Sequence, residues 1–262
     1  MKRMVALWLV AGLLAGTLGC GRDRNPILIG LAMELTGKQG DVGINVRDAA
    51  QLAVDEINAQ GGVHGRPLKL VIRDDEGDPA TARRVDAELA QAGVVAIIGH
   101  LTSAQTLAVF DQMNRAQVVL ISPTASASEL SGKADYFFRL MPDNGLASRA
   151  FAAYIFHQRG VRRLAGIYDL TNRSFVETYW ASARDEFERL GGDASLEFPY
   201  RSGETDLQAL VGQVELAQPE ALLIISSAVD TAMLSQYIRA AGLNSPLFSA
   251  SWAQTAMLLE MG

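Results

Sequence analysis

The sequence predicts an α/β protein built as two successive parallel-sheet units, and three observations lead there. Short, continuous, β-branched apolar runs recur, among them VVAIIG (94–99), QVVLIS (117–122) and ALLII (221–225), the signature of strands buried on both faces. Segments with helical spacing of apolar residues alternate with these runs, which implies parallel sheets with right-handed crossovers. Pro142 then divides the alternation into two series, 27–141 and 142–250, each near the usual size of a domain.

In the first series, ILIGLAM (27–33) reads as a strand and 34–43 as a glycine-rich loop. The helix that follows places Val46, Ala50, Ala53 and Ile57 on one face and stops at Gly61-Gly62. LKLVIR (68–73) is the second strand. Asp74, Asp75, Glu76 and Asp78 come next; their spacing is not that of an EF-hand calcium loop, and Asp78-Pro79 reads as a cap followed by the first helical residue. That helix turns Ala82, Val85 and Leu89 inward.

From 94 to 130 the order is strand, loop, helix, strand, loop. Thr102 or Ser103 caps the helix. Ser126, with Glu129 three residues on, is expected to form a capping box for a second helix. Two helix N-termini and several hydroxyls would then crowd one end of a parallel sheet. Such a place suits a small anion, because free N–H groups and the positive ends of helix dipoles point at it. Ligands of open α/β sheets bind outside the carboxyl ends of the strands. Ordinary capping without a ligand is the competing reading.

In the second series, YFFRLM (136–141) leads to Pro142. Helices are expected near 146–157, 175–190, 205–217 and 231–241, and strands at 163–168, 195–200, 221–225 and 247–250, with a helix-like LLEMG at the end.

The 262 residues are 49% hydrophobic and 20% charged, with a net charge of −6. No basic excess exists to hold nucleic acid. His64, His100 and His157 share no metal-ligand spacing, and the lone Cys20 excludes an intrachain disulfide or a cysteine-based zinc site, so no metal is expected. Cofactors and catalytic residues are likewise not expected: there is no nucleophile elbow, P-loop or dinucleotide fingerprint, and His100 near Ser103 has no evident acidic orienter. Lys2 and Arg3, the apolar run 4–18 and Gly19-Cys20 form a secretory signal. It looks like a bacterial lipoprotein signal, although Thr17 stands where leucine is usual. On that reading residues 1–19 are removed, Cys20 is lipidated, 20–26 is a tether, and the mature net charge is −8. The domain would be held at a membrane only through this lipid, in the periplasm or at the cell surface.

The runs GLAMELTGKQGDVG, AAQLAVDEINAQGGVHGRPLKLVIRDDEGDP, VVAIIGHLTSAQT and ISPTAS, in this order and spacing, resemble the branched-chain amino-acid (Leu/Ile/Val-type) substrate-binding proteins of ABC transporters, which have the type I periplasmic-binding fold. The resemblance covers 27–262. It implies two Rossmann-like α/β lobes joined by a hinge: an N-terminal lobe over 27–141, a C-terminal lobe over 142–250, and the start of a return to the first lobe over 251–262. Family members usually continue further, so the chain reads as truncated at its C-terminus, with an exposed edge on the first lobe. The resemblance also implies a small-molecule ligand (an amino acid, amide or organic acid) passed to an ABC permease in the inner membrane. A ligand sensor signalling to a membrane receptor or kinase is the alternative use of the same clamp.

By position the resemblance assigns the ligand carboxylate and part of its ammonium to Ser103, Thr124 and Ser126, beside Thr102, which replaces a cysteine of some relatives. The second lobe departs from the family pattern. Ser251 and Trp252 stand where an acidic residue pairs with the ligand ammonium, Arg173 aligns near a covering tyrosine, and Ser227-Ala228, with Asp230 close by, replace an aromatic residue. Either Asp230 or Asp169 takes the ammonium, or the ligand has none. Trp252 is expected to stack on the ligand or to pack the hinge; Arg173 is expected to hold a second anionic group or to be solvated.

Overall fold

The computed structural model describes residues 25–261, so the signal and Cys20 lie outside the described residues. Its elements alternate as the sequence predicts: β1 (Ile27–Met33), α1 (Gly40–Ala59), β2 (Leu68–Asp74), α2 (Pro79–Gln91), β3 (Ala96–Ile98), α3 (Ser103–Ala116), β4 (Val119–Ser122) and β5 (Phe137–Arg139). They are followed by α4 (Asn144–Gln158), β6 (Arg163–Asp169), α5 (Arg173–Arg189), β7 (Asp193–Tyr200), α6 (Leu207–Ala217), β8 (Ala221–Ile225), α7 (Ala228–Ala240), β9 (Leu247–Ser249) and α8 (Ala256–Met261). Two wholly parallel sheets result, in the orders β2-β1-β3-β4-β5 and β7-β6-β8-β9. Each is covered by helices on both faces, which is why its strands read as unbroken apolar runs.

In the first lobe, α1 packs Val42, Val46 and Ala50 against Leu31 and Met33 on one face of the sheet. On the other face, Ala82, Val85 and Leu89 of α2 and Val109 and Met113 of α3 meet Ala32, Ile97 and Leu120. In the second lobe, Val176, Trp180 and Phe187 of α5 cover one face and Val211, Val214, Leu234 and Ile238 of α6 and α7 the other.

Three expectations are corrected. The glycine-rich segment is shorter than 34–43 because α1 begins at Gly40. Its early start follows from close packing: a Cβ on Gly43 would lie 1.8 Å from the Glu34 carbonyl oxygen, so glycine alone lets the first turn sit against the end of β1. The inward face of α1 runs through Val42, Val46, Ala50 and Val54, leaving Ala53 and Ile57 exposed. The expected second capping box does not form. After β4 there is only a 3₁₀ turn, Ser128–Leu130, and Ser126 does not cap it. Of the two helices expected directly after β3 and β4, α3 alone forms among the described residues. By contrast, Asp78 caps α2 by accepting the Thr81 N–H, with Pro79 at the first helical position.

Beneath α3 lies a buried polar cluster that the sequence reading missed. His100 Nδ1 meets Asp75 at 2.6 Å and Nε2 meets Asp86 at 3.2 Å, so the histidine has two acidic orienters rather than none. Gln105 Nε2 donates to the second Asp75 oxygen at 2.7 Å. All four side chains are fully buried. Burial alone would push the imidazole pKa down, but the bonds to Asp75 and Asp86 outweigh it and hold His100 at about 9. A folded-state pKa above the unfolded value near 6.5 gives stability that is complete below about 6.5 and is lost as pH rises through about 9. Two consequences are expected from chemical denaturation. The midpoint of the native protein should fall between pH 6.5 and 9. His100→Ala should cost on the order of 3–5 kcal/mol at pH 6.5, because it leaves buried aspartates unpaired, and should flatten that pH slope.

Candidate functional site

The site is assembled where β3 and β4, paired in parallel from Ala96↔Val119 to Ile98↔Ile121, release their following loops side by side. Thr102 caps α3, accepting the Gln105 N–H, while Gln105 returns a bond to the Thr102 N–H; this is a complete capping box. The two loops are then stitched together. Ser103 Oγ accepts the N–H groups of Ser126 and Ala127, each at 3.1 Å. Thr124 donates its hydroxyl to the Leu101 carbonyl, and Ser122 donates to the His100 carbonyl at 2.9 Å.

The second lobe faces this surface across a narrow gap. Asn172 follows β6 and accepts the Ala104 N–H on its Oδ1 at 3.1 Å, so an amide of one lobe sits at the helix N-terminus of the other. Trp252, in the 3₁₀ turn after β9, donates from Nε1 to Gln39 Oε1 at 2.7 Å and packs edge-on to Phe175 at 5.9 Å between ring centres. Lys38 reaches over to Asp230, at 3.5 Å, and donates to Ser202.

A cavity of about 190 Å³ lies between these contacts. Its first-lobe wall includes Gln39, Val42, Leu101, Thr102, Ser103, Thr124 and Ser126; its second-lobe wall includes Asn172, Phe175, Trp252, Gln254 and Thr255. No charged side chain lines it. A second, polar chamber of about 280 Å³ adjoins it behind Gln39, Thr102, Asn172 and Trp252, and contains Glu34, Lys38 and Asp169. Burial pushes the Glu34 carboxyl pKa up, with the nearby Asp75 and Asp74 charges adding to it.

Thr102, Ser103, Thr124, Ser126 and Trp252 thus come together on one cavity. The other two expected residues do not join them. Arg173 is the first residue of α5, its side chain is 67% exposed, and it pairs with Glu177 one turn on. Asp230 is buried in the second lobe, where it accepts from Tyr200, Ser202 and Lys38 outside the cavity. Asp169 is also taken: it accepts from the Thr171 N–H and hydroxyl and from the Ser202 N–H. A serine nucleophile has no base here, since both His100 nitrogens face aspartates and Ser103 Oγ bonds backbone amides.

The sequence reading passed over Gln39, Asn172, Phe175 and Thr255. Asn172, the residue before Arg173, is the one that faces the gap. An asparagine three residues past an apolar strand, at the N-cap of α5, is the available signal.

A family model described as "Periplasmic binding protein" matches residues 26–262. A Leu/Ile/Val-binding protein homolog of Brucella suis is 26% identical over 84% of this chain, and the chain spans 62% of that relative's length. Among solved structures, the branched-chain amino acid transporter substrate binding protein of Streptococcus pneumoniae, in complex with isoleucine, superposes with a TM-score of 0.81 at 24% identity, covering 90% of this chain and 67% of that one. A solute binding protein of an ABC transporter from R. palustris, in complex with benzoate, superposes at 0.78 with 19% identity, covering 90% of this chain and 65% of that one.

Because Ser103 serves two backbone amides, its removal should be felt without any ligand. Ser103→Ala is expected to lower the unfolding free energy by about 1–3 kcal/mol in a denaturant titration, the cost of leaving buried donors unsatisfied. Arg173→Ala should stay within about 0.5 kcal/mol of the parent in the same measurement.

Proposed function

The chain belongs to the periplasmic binding protein family, and from that premise we propose that it is an extracytoplasmic solute-binding protein of an ABC importer. It captures a small amino-acid-like, amide or carboxylate ligand between its two lobes and presents the closed form to the permease. The observation that carries this reading is the cavity itself, walled by strand-end loops of both lobes, with its polar groups converging from each side. A ligand there touches both lobes and therefore stabilises the closed form over the open one. The lipoprotein-like signal supports attachment to the membrane through Cys20, and among the described residues no helix is long and apolar enough to cross a membrane.

The test is a thermal and calorimetric screen of the purified protein against amino acids, amides and organic acids. A true ligand at a hundredfold excess over its dissociation constant should add about 2.7 kcal/mol of stability. A broad panel that leaves a folded protein unmoved would count against the reading.

A further inference from the structure

We propose that the ligand is an apolar monocarboxylate that carries no ammonium group, so that the cleft selects against amino acids. The inference rests on reading the gap as a solute site, and deepens that reading by naming the ligand class.

Among the polar groups that face the cavity without a partner, four can donate, and the buried, unpartnered Thr255 hydroxyl adds one that can donate or accept. Ser126 is 5% exposed, lines the cavity, and its hydroxyl has no hydrogen-bond partner. The oxygen of Ser103 already accepts two amides, so its own hydrogen is the part left to offer. The Ser103 N–H, at the first position of α3, is also unbonded. Across the gap Asn172, 4% exposed, spends its oxygen on Ala104 and keeps its NH₂ group for the cavity. The four donors come from both lobes. Together they suit an acceptor with several lone pairs, such as a carboxylate.

Among the described residues, the cavity offers no matching place for a cation. The lining holds no acidic side chain. Asp230 faces away, bonded to Tyr200, Ser202 and Lys38. Asp169 and Glu34 lie in the adjoining chamber; Asp169 already accepts three hydrogen bonds, and Glu34 accepts from the Gln39 N–H and side-chain amide. An ammonium drawn into this cavity would lose its water without gaining a carboxylate. Beside the polar Gln39, Thr102, Thr124, Gln254 and Thr255, the wall has an apolar part: Trp252 set edge-on to Phe175, with Val42, Leu101 and Met141. That surface suits an alkyl or aryl body.

Matched pairs differing only by the amino group test the assignment: 4-methylpentanoate against L-leucine, and 3-phenylpropanoate against L-phenylalanine. Binding is followed by calorimetry and by tryptophan fluorescence. At least one deaminated member should bind, at least tenfold more tightly than its amino acid. Ser126→Ala should weaken that carboxylate about tenfold or more while leaving the unliganded melting temperature within a few degrees of the parent. Amino acids binding as well as or better than their deaminated partners would overturn the assignment and leave the solute-binding reading standing, with Glu34 or Asp169 taking the ammonium. If neither member of either pair binds, the assignment also fails. The solute-binding reading then falls only if the broader panel is silent too.

Discussion

Ser103 Oγ accepts the amide N–H groups of Ser126 and Ala127, and the shape of the gap depends on this contact. Strands β3 and β4 are three and four residues long, too short to fix where their following loops go. The serine joins those loops across 23 residues of sequence and gives two buried amides the acceptor that the sheet does not supply. Two further bonds follow the same plan: Thr124 donates to the Leu101 carbonyl and Ser122 to the His100 carbonyl, so each loop holds the other. The residues expected to present hydroxyls to a ligand are therefore largely occupied in building the wall, and Ser126 and the hydrogen of Ser103 are what face inward.

Support for that wall comes from below. Gln105 closes the capping box of α3 with its oxygen and bonds Asp75 with its nitrogen, and Asp75 in turn holds His100. A continuous polar chain thus runs from the rim of the gap into the core of the first lobe. Such a network is costly when incomplete, since a low-dielectric interior strengthens paired groups and penalises unpaired ones alike. This is also why the electrostatics of the gap are simple. The charges of the region are confined to the buried cluster, to the adjoining chamber and to the Lys38–Asp230 contact between lobes, and the cavity between them is neutral.

Much of this was legible in the sequence. Strands β1 and β8 fall where their apolar runs do, and Asp78-Pro79 caps its helix, because burial and capping are local in their signals. The convergence of Thr102, Ser103, Thr124, Ser126 and Trp252 on one cavity agrees with their being grouped by position. What sequence could not give were choices made by tertiary packing. Ser126 matches a capping-box spacing, but its amide goes to Ser103 and only a 3₁₀ turn follows. Arg173 and Asn172 are neighbours, and only the turn after β6 decides that the amide faces the gap while the arginine faces water. The two aspartates around His100 come from β2's end and from α2, 25 and 14 residues away, a meeting that no local pattern encodes.

The central claim is that one small molecule is held by both lobes at once. Hydrogen–deuterium exchange measured with and without the compound that stabilises the protein most tests it directly. The account predicts slowed exchange together in 100–104, 122–127, 172–175 and 251–255. Protection confined to a single lobe, or to a surface away from these loops, would contradict it.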